Sequence, residues 1–363
     1  MSTEPTFLFV GGGSLGHVLP SLSVAQALQK KRSDCRIVFV CSDRPQEARR
    51  ISDAGFPFHV LRSPASSARG LSILSFPYRF LSACLQARSM LRRESPCLLF
   101  LKGGSVSVPI GLMGRILGIP IVIHESDSVP SLSTKLLSRF SKVICAGFPD
   151  IGLPPALQKK FVCTGNPVRR EIVGGSKAAG MRITGFSGRR PVLLIIGGSQ
   201  GSLLLNAAVE SSFDALLDIA DIIHLTGEGK MTTKTHARYL AKTSAGQDLP
   251  HLYALADIVL SRAGAGTLSE LSVLRKPVIV VPLIGVGHDH QLENAQFLAS
   301  RNALILLSED QLSELSASVK RLVSDAVLRE RLGEALLHVF PGHAAENVAE
   351  ILLAHAFDSR IQS

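Results

Sequence analysis

Short apolar runs that end in glycine or in polar residues recur along the chain. They are rich in β-branched and aromatic residues and too short for helices, so the pattern predicts strands. The predicted strands are residues 7–10, 36–41, 97–101, 120–123, 143–146, 191–196, 222–226, 258–260 and 277–283. Between them lie segments with apolar residues at helical spacing, such as Leu22, Ala25 and Leu28. Alternating strands and helices are typical of parallel α/β sheets.

Glycine turns follow two of these strands and open the two halves of the chain. The first is Gly11-Gly12-Gly13-Ser14-Leu15-Gly16, before a predicted helix at 20–30, and the second is Gly197-Gly198-Ser199-Gln200-Gly201, before a predicted helix at 202–209. One repeated strand–turn–helix unit predicts two similar α/β domains, which suits a length of 363 residues. Residues 174–189, rich in Gly, Ser, Lys and Arg, are predicted to form a loop.

The first turn matches the pattern G-x-G-x-x-G of nicotinamide-dependent dehydrogenases. Asp43 follows the next strand, at about the position of the acid that binds a ribose in those enzymes. His17, at the start of the following helix, is not part of that pattern. The dehydrogenase interpretation therefore stays open at this point.

Polar residues collect at strand ends in the stretch 256–294. Arg262 follows the strand at 258–260, and His288-Asp289-His290-Gln291 follows the strand at 277–283. Thr267 and Glu270 have the spacing of a capping box, which predicts that a helix begins here. Ligands of open α/β sheets bind at strand C-terminal ends, so Glu270 is either a ligand of sugar hydroxyls or only a helix cap.

Composition narrows the class of partner. Apolar residues make up 46% of the chain, which excludes a disordered composition. The net charge of +10 predicts an anionic partner, whether nucleic acid, acidic membrane or phosphorylated substrate. The low aromatic content of 5%, without Trp, argues against a surface that stacks single-stranded nucleic acid.

Cysteine usage and the apolar runs indicate the compartment. The six cysteines form no CxxC pair, so we expect buried free thiols in a reducing compartment. The chain shows neither a signal peptide nor an apolar run long enough to span a bilayer, which predicts a cytoplasmic protein.

Residues 69–93 alternate arginines with apolar residues and contain no acid. An apolar face bordered by arginines suits an anionic membrane surface. An ordinary core helix is the alternative, and we favour it for residues 81–91. For residues 73–80, which include Phe76 and Arg79, we favour contact with the membrane.

Four ordered motifs resemble those of MurG-type glycosyltransferases, which attach N-acetylglucosamine to a lipid-linked muramyl peptide. The second glycine turn is identical to the family's G-G-S-Q-G. The family's R-S-G-A-x-T-x-x-E and D-x-Q-x-x-N-A stand here at 262–270 and 289–295, and T-G-N-P-V-R stands at 164–169. The first turn, at 12–17, is similar to the family's G-G-T-G-G-H, with Leu15 in place of a glycine.

Two further family patterns, G-G-Y-V-S-G-P and H-E-Q-N-x-x-P, align with residues 103–109 and 124–130. Their framework is kept, but this chain has Ser105, Val108, Ser126 and Asp127 where the family has Tyr, Gly, Gln and Asn. The departures fall on the acceptor side, so the acceptor is less firmly implied than the donor.

The resemblance implies an α/β protein of the GT-B class, with two doubly wound Rossmann-like domains and an interdomain cleft. It implies a lipid-acceptor domain at 1–163, on which a C-terminal helix at 341–363 packs, and a UDP-sugar donor domain at 164–340. The implied reaction is inverting transfer of N-acetylglucosamine from UDP-N-acetylglucosamine to undecaprenyl-diphosphate-linked N-acetylmuramyl peptide. Another UDP-sugar transferase or a UDP-sugar epimerase would share the donor motifs, and these alternatives remain.

The resemblance also implies partners and location. The chain is expected to work peripherally at the cytoplasmic face of the inner membrane, on an anionic lipid surface, without nucleic acid. No D-x-D motif stands out as a clamp for a metal and a diphosphate, so we expect no metal and no cofactor besides the donor substrate.

Site residues are carried over position by position. His17 is the implied catalytic base, with Asp127 as the next candidate; a purely structural bond to the turn is the alternative for His17. The implied donor-binding residues are Ser14, Gly16, Asp127, Arg169, Ser199, Gln200, Gly201, Arg262, Gly264, Thr267, Glu270, His290, Gln291 and Asn294. The implied acceptor-binding residues are Gly12, Gly13, Ser14, Gly103, Gly104, Ser105, His124 and Glu125.

Overall fold

The computed structural model describes residues 4–62, 75–198, 200–285 and 289–357. It divides into two compact units, which are described separately. Unit 1 comprises the chain up to Val168 and again from Pro341 onward, and unit 2 comprises Arg169–Phe340.

Unit 1 is built on a parallel sheet. Its strands are β1 Thr6–Val10, β2 Arg36–Cys41, β3 Phe58–Val60, β4 Leu98–Leu101, β5 Ile121–Glu125, β6 Val143–Ala146 and β7 Phe161–Cys163. Its helices are α1 Leu15–Lys31, α2 Pro45–Asp53, α3 Phe76–Glu94, α4 Ser107–Ile116, α5 Leu132–Leu137, α6 Pro155–Gln158 and, near the C-terminus, α15 Ala344–Phe357. The strand order is β3-β2-β1-β4-β5-β6-β7.

The last helix, α15, belongs to the core of unit 1. Its apolar residues recur at three- and four-residue intervals, which gives one apolar face. Val348, Ala349 and Leu352 are fully buried in the same cluster as Leu28 of α1 and Phe9 of β1. The chain therefore returns to unit 1 because this face needs an apolar partner.

Unit 2 repeats the design. Its strands are β8 Val192–Ile196, β9 Asp221–Leu225, β10 Tyr239–Lys242, β11 Ile258–Ser261, β12 Val278–Val280 and β13 Ile305–Leu306. Its helices are α7 Lys177–Thr184, α8 Leu203–Ser211, α9 Phe213–Ile219, α10 Leu249–Leu255, α11 Ala265–Val273, α12 His290–Ala299, α13 Leu315–Ser324 and α14 Ala326–Val339. All its strands pair in parallel, in the order β10-β9-β8-β11-β12-β13.

The predicted loop at 174–189 is wrong, because α7 occupies half of it. Ser176 caps the helix by accepting from the Ala179 N–H, and Gly185 ends it in a left-handed conformation. Gly180 allows close packing on α10, since a Cβ there would lie 2.5 Å from the His251 carbonyl oxygen. The glycines that suggested a loop are thus a packing contact and a helix end. The predicted strand at 277–283 is also too long, since β12 spans only Val278–Val280.

Both sheets reverse their strand order at a central pair, β1 with β4 and β8 with β11. Loops after such a pair diverge to opposite sides and leave a crevice at the C-terminal edge, where ligands bind in this class of sheet. In unit 1 the two loops touch through bare backbone, because a Cβ on Gly104 would lie 1.9 Å from the Gly12 carbonyl oxygen. The reversal points therefore fix where each unit can hold a ligand.

Within the described ranges, no helix combines the length and the apolar character needed to cross a membrane.

Candidate active site

A buried carboxylate occupies the first glycine turn. Glu47 of α2 is 1% exposed, and its Oε1 accepts from the Gly13 N–H at 2.7 Å. Its Oε2 accepts from the backbone N–H and the hydroxyl of Ser42, at 3.0 and 2.8 Å. A dinucleotide needs this turn to receive its diphosphate, but the Gly13 amide is already bonded to a carboxylate that repels phosphate. The structure therefore speaks against the dehydrogenase interpretation.

His17 lies in the first turn of α1 with one tautomer fixed. Its Nδ1 is 2.9 Å from the Gly12 carbonyl oxygen, which can only accept, so Nδ1 carries the hydrogen and Nε2 keeps a lone pair. Burial lowers the pKa of His17, and the nearby Lys102 ammonium lowers it further. The imidazole is therefore neutral at pH 7. The structural bond to the turn exists, and it leaves Nε2 available as a proton acceptor.

A buried lysine stands beneath the two glycine loops. Lys102 follows β4, is 2% exposed and donates to His124 Nδ1 at 2.9 Å and to the Ser126 hydroxyl. Burial lowers the pKa of Lys102 to about 8, so it is charged at neutral pH. His124 donates from Nε2 to the Gly165 carbonyl oxygen at 3.0 Å, and burial puts its pKa well below the usual value.

The expectation that His124 and Glu125 contact the acceptor is corrected, since both lie inside the fold. Strand β5 continues through them, paired with Cys145 and Ala146, so their side chains are 1% and 5% exposed. Glu125 accepts from the backbone N–H of Ser126 and Ser131 and from the Thr134 hydroxyl at 2.6 Å. These bonds hold the loop after β5, so the two residues shape the site from below.

The remaining unit 1 candidates lie nearer the surface. Gly16 is exposed, and Ser14, Ser105 and Asp127 are half-buried. Asp127 acts electrostatically on His17, where it favours the protonated imidazole. Gly12 and Gly103 are buried under these groups and provide close approach without side chains.

The second glycine turn in unit 2 is held from behind by a lysine. The Lys230 ammonium donates to the carbonyl oxygens of Gln200 and Gly201, at 2.8 and 3.2 Å. Gly201 abuts Gly227, since a Cβ on it would lie 2.6 Å from the Gly227 Cα. Gln200 is exposed, and Ser199 lies outside the described residues.

Arg262 is a brace, which corrects the expectation that it contacts the donor. It is 6% exposed, and its Nη1 donates to the Val281 and Pro282 carbonyl oxygens at 3.1 and 2.8 Å. Its Nε donates to the Ser202 hydroxyl at 3.1 Å. The guanidinium therefore ties the ends of β11 and β12 to the cap of α8.

Helix α11 begins earlier than the sequence suggested, so the predicted capping box is wrong. Its N-cap is Gly264, which makes no side-chain cap, and Thr267 lies inside the first turn. The first N–H groups of a helix have no helical partner and attract anions. The start of α11 is therefore open to a negatively charged group.

Glu270 is oriented from two sides in the second turn of α11. Its Oε1 accepts from Arg169 Nη2 at 2.9 Å, and its Oε2 accepts from the Tyr253 hydroxyl at 3.1 Å. Tyr253 is 1% exposed, and burial beside this carboxylate raises its pKa well above the usual value. Each carboxylate oxygen can accept two bonds, so Glu270 keeps capacity for further donors.

The candidate residues on α12 differ in burial. Asn294 is fully buried and donates to the Ala263 carbonyl oxygen at 3.2 Å, which corrects the expectation that it faces the sugar. Gln291 is half-buried and accepts from the Leu283 N–H at 3.1 Å. His290 is half-buried at the start of α12. His288 lies outside the described residues.

Four residues that matter here were missed as site residues: Glu47, Lys102, Lys230 and Tyr253. Lys102 carried the only signal available, because a lysine directly after an apolar strand and before two glycines is poorly placed to reach solvent. The others act through contacts between segments distant in sequence, which no local pattern reveals.

No cluster of His, Cys, Asp or Glu in the described part of the chain could hold a metal ion. All six cysteines are free thiols, as predicted, and four of them are buried.

Sequence comparisons match both units of the chain to domains of one glycosyltransferase family. Residues 7–145 match the model of the glycosyltransferase family 28 N-terminal domain, and residues 192–341 match that of its C-terminal domain. The chain is 34% identical, over 88% of its length and 91% of the relative's, to the UDP-N-acetylglucosamine–N-acetylmuramyl-(pentapeptide) pyrophosphoryl-undecaprenol N-acetylglucosamine transferase of Lachnospira eligens. It is 36% identical to the transferase of the same name from Lachnoclostridium phytofermentans, over 84% of this chain and 86% of that one.

Solved structures with this fold include both transferases and epimerases. Acinetobacter baumannii MurG has a TM-score of 0.71 at 23% identity, covering 97% of this chain and 99% of that one. The UDP-GlcNAc 2-epimerase of Neisseria meningitidis has a TM-score of 0.69 at 15% identity, covering 96% of this chain and all of that one. Likeness at these identities shows the fold, the two-domain GT-B architecture.

We expect Arg262→Met to destabilise the ligand-free protein by about 3 kcal/mol or more, because buried acceptors left without a donor cost about 1–3 kcal/mol each. Calorimetric melting should detect this as a lower melting temperature. The matched control is Arg275→Met, which removes an exposed pair with Glu334 at 3.0 Å, worth under about 1 kcal/mol. Equal melting temperatures for the two variants would contradict the bracing role.

Proposed function

We propose a function from one premise: the chain belongs to glycosyltransferase family 28, among its N-acetylmuramyl-(pentapeptide) pyrophosphoryl-undecaprenol N-acetylglucosamine transferases. It transfers N-acetylglucosamine from UDP-N-acetylglucosamine to an undecaprenyl-diphosphate-linked N-acetylmuramyl peptide, a step of peptidoglycan synthesis. The geometric observation that carries the chemistry is His17, held neutral with its Nε2 lone pair available.

The proposed mechanism is a single displacement at the anomeric carbon. A sugar hydroxyl is a weak nucleophile, so a base must take its proton as the new bond forms. His17 Nε2 is that base, and the departing UDP takes the electron pair of the broken glycosidic bond. Attack from the face opposite UDP inverts the anomeric centre.

We assign donor binding mainly to unit 2. In this assignment the open N-terminus of α11 and the second glycine turn bind the diphosphate and stabilise its growing charge. Arg169 has a buried Nε with no hydrogen-bond partner among the described residues, which suits an oxygen of the nucleotide. Glu270, oriented by Arg169 and Tyr253, binds the ribose hydroxyls.

We assign a supporting role to the buried candidates. Arg262, Asn294, His124 and Glu125 keep the loops in shape, while Gln291 and His290 remain candidates for contacts to the sugar. Ser14, Gly104 and Ser105 remain candidates for the acceptor, whereas the Gly13 amide is bonded to Glu47 and is not assigned to the acceptor diphosphate.

The reaction is tested with labelled UDP-N-acetylglucosamine and the lipid-linked acceptor. We expect a disaccharide lipid and free UDP, formed equally well in excess chelator because no metal clamp is proposed. Labelled UDP-N-acetylmannosamine formed without acceptor would instead identify an epimerase, and tight NADH binding without donor binding would identify a dehydrogenase.

A base-deficient variant is the control for this assay. His17→Ala should lower kcat roughly 10²–10⁴-fold, the usual contribution of general base catalysis, with donor affinity nearly unchanged. Full activity of this variant would reduce His17 to a turn residue.

Glu270→Ala should raise the KM for the donor ten-fold or more, since hydrogen bonds to a charged group are each worth about 1.5–3 kcal/mol. Steady-state kinetics measure this, and Glu334→Ala, which removes an exposed carboxylate of the same unit, is the control. If donor affinity does not change, Glu270 serves only to hold Arg169 and Tyr253.

The membrane is the proposed location, because the lipid tail of the acceptor cannot leave the bilayer at low cost. Helix α3 packs into unit 1 through Ala83, Ala87 and Leu91, but Tyr78 is 78% exposed and Leu81 and Leu85 are each 59% exposed. Residues 81–91 thus form a core helix with a solvated face, as favoured from the sequence, and Leu81 and Leu85 lie on that exposed face. Residues 69–74 of the predicted membrane stretch lie outside the described residues.

We expect reversible binding of the protein to anionic vesicles that weakens with salt, because each basic residue near such a surface adds about 1 kcal/mol. Phe76→Ser with Leu81→Ser, and separately Arg79→Glu, should reduce co-sedimentation. Val327→Ser on α14, where Val327 is 76% exposed, is the control for loss of an exposed apolar group. If wild type and all variants co-sediment with vesicles equally, α3 does not contact the membrane.

A further inference from the structure

Asp127 creates an electrostatic problem for the proposed base. The family pattern has Asn at this position, whereas this chain places a carboxylate there. Both Asp127 and the buried Glu125 act on His17 so as to favour its protonated form. A protonated imidazole cannot take a proton, so a second acid near His17 works against base catalysis at neutral pH.

Lys102 supplies the opposite charge from below. Its ammonium is anchored by His124 Nδ1 and the Ser126 hydroxyl, and Ser126 adjoins Asp127. The glycine that follows Lys102 lies against His17, since a Cβ on Gly103 would lie 3.6 Å from His17 Nε2. The Lys102 ammonium disfavours a second positive charge on the imidazole.

We propose that Lys102 and Asp127 act as a pair of opposite charges whose effects on His17 offset each other, and that this pair keeps His17 Nε2 as a proton acceptor at neutral pH. The inference rests on the proposed function and deepens it. Lys102 is a positioning residue: it acts through His17, while its bonds to Ser126 and His124 hold the loop that carries Asp127.

None of the other groups that act on Lys102 among the described residues carries a positive charge, so Lys102 is the cation that offsets the acids near His17. His124 of β5 is neutral, because burial and Lys102 itself place its pKa well below the usual value. Cys145 of β6 is a neutral thiol, since burial raises its pKa to about 12. Glu125 and Asp127 are the acids that favour the charged form of Lys102, and burial opposes them and lowers its pKa to about 8.

A double-mutant cycle tests the pair. Imidazole NMR of histidine-labelled protein, with the His17 signal assigned by its loss in His17→Gln, reports the His17 pKa without any substrate. Lys102→Met, of similar length but uncharged, should raise that pKa by roughly one pH unit. Asp127→Asn should lower it, and the double variant should return close to the wild-type value.

The pH profile of kcat/KM should follow the same cycle. The base must be neutral to act, so activity is lost as pH falls through the His17 pKa. The acid limb should move to higher pH in Lys102→Met, to lower pH in Asp127→Asn, and back in the double variant. If Lys102 only holds the loop, Lys102→Met lowers kcat at every pH, the limb stays in place and Asp127→Asn restores nothing; that result overturns the pair.

Two readouts keep the inference separate from the function. The titration can fail while the transfer assay succeeds, and it can succeed while that assay fails. If Lys102→Met loses its native circular dichroism, lysine-labelled wild type carries the test: Lys102 should titrate near pH 8 and the His17 signal should move in that step. A His17 signal that does not move in the step in which Lys102 titrates overturns the pair.

Discussion

The close approach of two glycine loops in unit 1 is the constraint on which its site depends. A Cβ on Gly104 would overlap the Gly12 carbonyl oxygen, so the loops after β1 and β4 can meet only as bare backbone. That contact brings His17, at the start of α1, next to the end of β4.

Because the loops are so close, their internal charges must be matched. Glu47 satisfies the Gly13 amide, and the Lys102 ammonium is bonded to His124 and Ser126 and acts on the carboxylates that follow β5. Buried charges are costly unless they are paired and hydrogen-bonded. The same turn that accepts a diphosphate in dehydrogenases is here closed by a carboxylate, which is why one sequence pattern serves different chemistry.

Unit 2 uses the same strand order but holds its loops with cations. Lys230 binds the carbonyls of the second glycine turn, and Arg262 binds those that follow β12. The start of α11 in the same unit has no side-chain cap, and the first amides of a helix, which lack helical partners, attract anions. The contrast between the units supports the assignment of the nucleotide to unit 2.

The sequence alone determined the class of fold, most of the strands and the positions of both glycine turns, because apolar periodicity and glycine placement are local properties. Short strands such as β10 and β13 were not predicted. The sequence also singled out His17 and Glu270 as candidates. Only the tertiary structure showed which candidate polar residues are buried and bonded within the fold. The sequence reads the same whether a polar residue contacts a ligand or supports a loop. Burial by segments distant in sequence marks four of them as supports: Arg262, Asn294, His124 and Glu125. Likewise, the partners of Glu270 and the charge beneath His17 come from strands and helices far apart in the chain.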